Sequence, residues 1–220
     1  MAESLPVRPR ETDPAEPAVS SPYRDYDVLD KWSSLSFDEV TRRVLAERLG
    51  APPEPRFFAA AEFRCLEAAC ARLLATEPGR PPIANRIDAD LYAHRGEGFR
   101  HPDMPHFEVA WRDGVRGLEG EARRRHDRAF ADLDGAEQDD VLRALQAGDV
   151  DPAAFAGMPA DRFFTHMLLK ATAAHYYGSP EGWSEIGFGG PASPRGYVRI
   201  GLDRRDPWEA PLRSGVEAER

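Results

Sequence analysis

Residues 160–177, ADRFFTHMLLKATAAHYY, carry the reading that decides the fold. Phe164, Leu168, Ala171 and His175 recur on one face at the 3.6-residue period of an α-helix. Gly178 and Pro180 then stop the run. Working back along the chain, the same period returns. Phe107, Trp111, Val115, Leu118 and Ala122 share a helical face, although Gly114, Gly117 and Gly120 should weaken that helix. Ile83, Ile87 and Leu91 mark a short helix, and Phe58, Ala61, Cys65, Ala69 and Leu73 stripe a longer one over roughly 56–76. Ser36 and Glu39 form a capping box that opens a helix to Leu49, with Val40, Val44 and Leu45 as its apolar side and Gly50 as its stop. Asp134 and Glu137 cap a helix through Leu142 and Leu145 that ends at Gly148, and Asp151-Pro152 opens a single turn. No run alternates with period two. The expectation is an all-α fold, a compact bundle of six or seven helices over residues 23–178.

The two ends differ in kind. Residues 1–22 hold five prolines and four acids and read as a disordered tail. They have no apolar core and no adjacent arginine pair, so neither a secretory nor a twin-arginine signal is read there. The expected location is the cytoplasm, or the periplasm if a partner with its own signal carries the chain. The next stretch, YRDYDVLDKW at 23–32, is irregular yet aromatic and should lie on a surface. Residues 179–220 read as an irregular arm and tail. Within them, 182–197 (GWSEIGFGGPASPRGY) hold five glycines, two prolines and three aromatics without helical or strand period. Glycine lets backbone approach another surface closely, and Trp and Tyr bury large areas with few torsions to freeze. Trp183, Ile186, Phe188 and Tyr197 are therefore expected to bind a partner, with Trp183 as anchor, Arg195 adding a charge-assisted contact, and Tyr176 and Tyr177 beside them.

Composition narrows the function. Charged residues make up 30% and apolar residues 41% of 220, and the net charge is −9 with a pI near 5.2. Such a chain repels phosphate, so nucleic acid is not expected as a partner. Arg123-Arg124-Arg125 reads as a solvated helix face. Cys65 and Cys70 lie five apart on one helix, too badly angled to pair, and read as small buried hydrophobes. No apolar run is long enough to span a bilayer.

Chemical motifs are missing. There is no Gly-x-Gly-x-x-Gly after a strand, Gly187-Phe188-Gly189-Gly190 lacks the Lys and Ser/Thr of a P-loop, and no Cys-x-x-Cys-His occurs. His101 and His106 read as solvated loop histidines without partner ligands. His166 and His175 point to opposite sides of one helix, and His175 reads as a core or interface histidine. Glu62 reads as a capping or ion-pair residue. No nucleophile–base set emerges.

One resemblance goes further. Phe163-Phe164, Ala174-His175-Tyr176-Tyr177-Gly178, Pro180, Gly182-Trp183-Ser184-Glu185-Ile186-Gly187-Phe188 and Gly190 together resemble the gluconate 2-dehydrogenase subunit 3 family. Pro82-Ile83-Ala84, Ile87-Asp88, Leu91, and Phe130-Ala131-Asp132-Leu133 with Gln138, Val141-Leu142 and Leu145 agree. The likeness covers roughly residues 35–197. It implies a non-catalytic small subunit of a heteromeric dehydrogenase acting on a sugar, sugar acid or polyol. The large subunit would be a glucose–methanol–choline-type flavoprotein that carries FAD, often joined by a cytochrome c subunit. This chain itself would hold no cofactor. It departs from the family in having only Glu181 between Pro180 and Gly182, where members commonly carry Tyr-Gly-Gly-Asn. Read without the resemblance, the residues also suit a scaffold or regulatory protein of another complex.

Overall fold

The structure, a computed structural model, describes residues 21, 23, 25–76, 81–96, 98, 100–191 and 209–211. Among them are seven helices and no strand: α1 (Glu39–Leu49), α2 (Ala60–Leu74), α3 (Ile83–Tyr92), α4 (Phe107–His126), α5 (Gly135–Ala147), α6 and α7 (Pro180–Glu185). α6 runs unbroken through Ala160–Arg162, a π-helical stretch Phe163–Leu169, and Lys170–Tyr177. Of the expected tail at 1–22, all but Ser21 lies outside the described residues, as do Arg195 and Tyr197.

α4 is the axis of the bundle. Trp111, 1% exposed, packs edge-on against Phe58, Phe107 and Phe163 with ring centroids 5.7–6.5 Å apart. Around it α2, α3, α5 and α6 bury Leu66, Ile83, Ile87, Leu91, Leu145 and Leu168. The helix glycines are contact points rather than weak links. A Cβ on Gly114 would stand 2.2 Å from the Phe163 ring, and one on Gly117 2.5 Å from the Phe155 ring. Their lost propensity is offset by two aromatic side chains lying directly on the α4 backbone.

Several boundaries and faces differ from the sequence reading, each for a local reason. α1 is capped by Asp38, whose carboxylate accepts the Thr41 N–H at 2.7 Å, and not by Ser36. Phe37, 1% exposed, is pulled into an apolar cluster, so the chain cannot turn helical before it. Of the expected apolar side of α1 only Leu45 is buried; Val40 and Val44 are 54% and 37% exposed. α2 begins at Ala60 rather than near 56 because the buried Asp88 side chain takes the preceding amides. It accepts from Arg56 N at 2.6 Å, Phe57 N at 3.0 Å and Phe58 N at 2.9 Å. Glu62 caps Ala59 N at 3.0 Å and pairs with Arg116 at 2.6 Å.

In α6 the wide π-turn changes the face. Phe163, Phe164, Met167, Leu168 and then Thr172 are buried, while Ala171 is only half-buried. A turn of more than four residues carries the inward stripe one position past the expected Ala171. The Arg123–Arg125 run is not simply solvated. Arg124 and Arg125 both hold the fully buried Glu121, at 2.9 Å and 2.5 Å through their Nε atoms, and Arg125 also reaches Asp149. Cys65 and Cys70 are free and buried.

Candidate functional site

The Gly/Pro/aromatic segment does not continue as an irregular arm after Gly178; it turns into α7. Ser179 caps that helix by accepting from Gly182 N, and Pro180 fills its first turn. The turn is tight enough that a Cβ on Gly182 would stand 2.4 Å from the Tyr176 carbonyl oxygen. After α7 the chain folds back across residues 21–37, and the two segments hold each other. Val28 N donates to Ser184 Oγ at 3.0 Å, Ser21 Oγ donates to the Glu185 carbonyl at 2.5 Å, and Lys31 Nζ donates to the Gly189 carbonyl. The expectation that 23–32 lies on a surface thus has a definite partner, the 183–190 segment.

Trp183 sits at the centre of this clasp. It is 7% exposed and forms an apolar cluster with Val28, Phe37 and Leu45, with Tyr26, Leu29 and Trp32 packed around them. Its Nε1 donates to the Tyr177 carbonyl at 2.8 Å, and Phe188 meets its ring edge-on at 5.6 Å. Two glycines permit the closure. Gly187 (φ +69°) would place a Cβ 2.8 Å from Tyr23, and Gly190 (φ +78°) one 2.9 Å from Phe37. The side chain expected to anchor a partner is therefore covered by this chain's own N-terminal segment.

What the clasp leaves in the open is its rim. Ile186 is 50%, Tyr177 47% and Phe188 38% exposed, and on the strap and helix that hold Trp183 stand Leu35, Val40 and Val44. Tyr176 is half-buried, its hydroxyl donated to Glu185; burial first, then that bond, pushes its pKa well above the usual phenol range. Sequence reasoning missed Val40 and Val44, since their spacing reads as an inward face. Only the capture of Phe37 shows that α1 rests on the Trp183 cluster through Leu45.

Two concave regions flank α6. One is a pocket of about 270 Å³ lined by Met104, Phe107, His166, Met167 and others. There the His101 ring lies 4.7 Å from that of His166 and its Nδ1 stands 2.9 Å from Arg162 Nη1, so His101 is held rather than solvated. The other is a polar cleft of about 420 Å³ bordered by Arg48, Arg86, Asp90, Arg95 and His175. His175 is half-buried in its wall, 3.5 Å from Asp90, and does not enter the core. Among the described residues, no group of three or more His, Cys, Asp or Glu could hold a metal ion, and no helix is long and apolar enough to cross a membrane.

Fold and site define an all-helical domain whose aromatic C-terminal segment is locked onto an N-terminal strap. The family model of gluconate 2-dehydrogenase subunit 3 matches residues 60–190, more than half of the chain and all of α2 to α7. The chain belongs to the gluconate 2-dehydrogenase subunit 3 family, whose name is that of one subunit of a multi-subunit dehydrogenase. No curated protein and no solved structure matches it.

Proposed function

We propose that this chain is a non-catalytic small subunit that binds and stabilises, or helps to mature, the large subunit of an FAD-dependent sugar, sugar-acid or polyol dehydrogenase. The large subunit is a glucose–methanol–choline-type flavoprotein, and FAD belongs to it. Chemistry at the flavin is the cofactor's own; a small subunit contributes binding and orientation. The observation that carries the reading is the rim of Tyr177, Ile186 and Phe188, exposed at the C-terminal end of the segment that the family model matches. Exposed apolar side chains clustered on one unit mark an interaction surface. Leu35, at 92% exposure, with Val40 and Val44, adds exposed apolar side chains on the strap and on α1.

The test is co-expression with a glucose–methanol–choline-type flavoprotein from the same organism, followed by co-purification through a tag on this subunit. A stoichiometric complex, with flavin absorbance confined to the large chain, is the expected result. Failure of the two chains to associate, or flavin retained by this chain when purified alone, contradicts the reading.

A further inference from the structure

The polar cleft is a meeting point of cations in an acidic protein. Arg48 ends α1, Arg86 lies on α3, Arg95 follows α3, and His175 comes from α6. Against the three arginines the lining sets two acids, Glu47 and Asp90, and Glu181 acts on Arg86 from outside it. Asp90 is already engaged: Arg95 holds its Oδ1 at 2.8 Å and 2.6 Å, and His175 Nε2 lies 3.5 Å from its Oδ2.

Arg48 and Arg86 are held differently. Arg48 Nη1 donates to the Gly178 carbonyl at 2.8 Å, and Arg86 Nη2 donates to the Arg48 carbonyl at 2.9 Å. Among the described residues, no carboxylate stands within ion-pair distance of either. Each guanidinium has five N–H donors, and most of theirs are left over. Both are pinned by backbone oxygens in the wall of one cleft, so each is positioned before any anion arrives. Burial lowers the pKa of Arg86, Glu181 raises it from outside the lining, and Arg48 lowers it again. Burial likewise depresses His175. Asp90 opposes that, and Arg86, Arg48 and Arg95 add to it, so all three arginines are felt at one imidazole.

We propose that this cleft is a carboxylate-binding site, in which the pinned Arg48 and Arg86 guanidiniums take a single carboxylate beside His175. Planar guanidinium forks match a carboxylate's two oxygens. Glu47 and Asp90 in the lining repel a phosphate dianion more strongly than a monoanion. Such a carboxylate comes from a free small acid or from an acidic side chain of the large subunit, and two arms separate these sources.

In the first arm, acetate is titrated into the purified chain and the His175 ring and Arg side-chain signals are followed by NMR, with acetamide and chloride as controls. A free-acid site gives saturable shifts with acetate alone and a rise in the His175 pKa, because an added anion favours imidazolium. Affinity should fall at least about tenfold in Arg86→Gln. It should be partly restored in Arg86→Lys, which keeps the charge but not the fork. The second arm, which alone rests on the subunit reading, measures affinity for the flavoprotein. A loss of at least about tenfold in Arg48→Gln, without saturation by acetate, assigns the carboxylate to the partner. If acetate does not saturate and a complex forms that is indifferent to both Arg48→Gln and Arg86→Gln, the carboxylate site is overturned while the subunit reading stands. If no complex forms at all, the first arm alone decides for or against the site.

Discussion

The cluster around Trp111 gathers buried residues from Phe58 to Leu168, nearly all of them on helices that follow one another in the chain. The cluster around Trp183 joins Val28, Phe37, Leu45 and Trp183, and its hydrogen bonds span as far as 164 positions of sequence. Each has one tryptophan at its centre, but the first is enclosed by helix faces and the second by two segments folded over each other. The larger cluster buries far more apolar surface, and a small cluster on two crossing segments opens at lower free energy. The molecule is thus a stable bundle with a more weakly held clasp, and the clasp bears the exposed apolar rim.

That contrast breaks most openly at the tryptophans. Trp111→Ala should cost about 4 kcal/mol, near the usual scale for a buried aromatic, and lower the melting temperature of the whole chain. Trp183→Ala should cost about 3 kcal/mol but act locally. Amide exchange at 25–37 and 180–190 should become fast while α2 to α5 keep their protection. Equal loss of protection in both regions would show one cooperative unit and remove the distinction. Gly117→Ala should destabilise the bundle by about 2 kcal/mol, since the added methyl meets the Phe155 ring; a neutral result in urea unfolding would mean that the ring moves aside.

A pH profile sharpens the bundle side. Burial raises the pKa of Glu121, but the hydrogen bonds and charges of Arg124 and Arg125 outweigh it and leave the carboxyl below its ordinary value of 4.5. A lowered folded-state pKa contributes stability that is present above the ordinary value and lost as pH falls through the folded one. Urea midpoints measured downward through that window should decline less steeply in Glu121→Gln than in the native chain. Parallel curves would remove Glu121 from the acid sensitivity of the bundle.

Much of this architecture is legible in the sequence. The buried Ile83, Ile87 and Leu91 of α3 stand at the spacing the sequence displays, and the capping box of Asp134 and Glu137 is formed as read. Such features depend on residues within a turn or two. The misreadings have non-local causes. Val40 and Val44 look inward until Phe37 is seen inserted beside Trp183, and Ala171 looks buried until the π-turn is counted. Arg124 and Arg125 look solvated until Glu121 is seen beneath them. The Trp183 motif was recognisable, yet whether it faces outward or inward depends on residues 21–37, far away in sequence. The cleft had no signal in the sequence, because its arginines stand on α1, on α3 and after α3.

The smallest effect on stability, and the largest consequence for function, is expected at the rim. Ile186 is 50% and Val40 54% exposed, so Ile186→Ser with Val40→Ser should leave the melting temperature of the isolated chain almost unchanged. On the proposed function, the interior of the clasp serves the subunit itself while its rim serves the flavoprotein. The most direct measurement is the affinity of this double variant for the large subunit, taken alongside its melting curve. The account predicts an intact melting curve and an affinity reduced by at least about tenfold. Native affinity with an intact melting curve would contradict it.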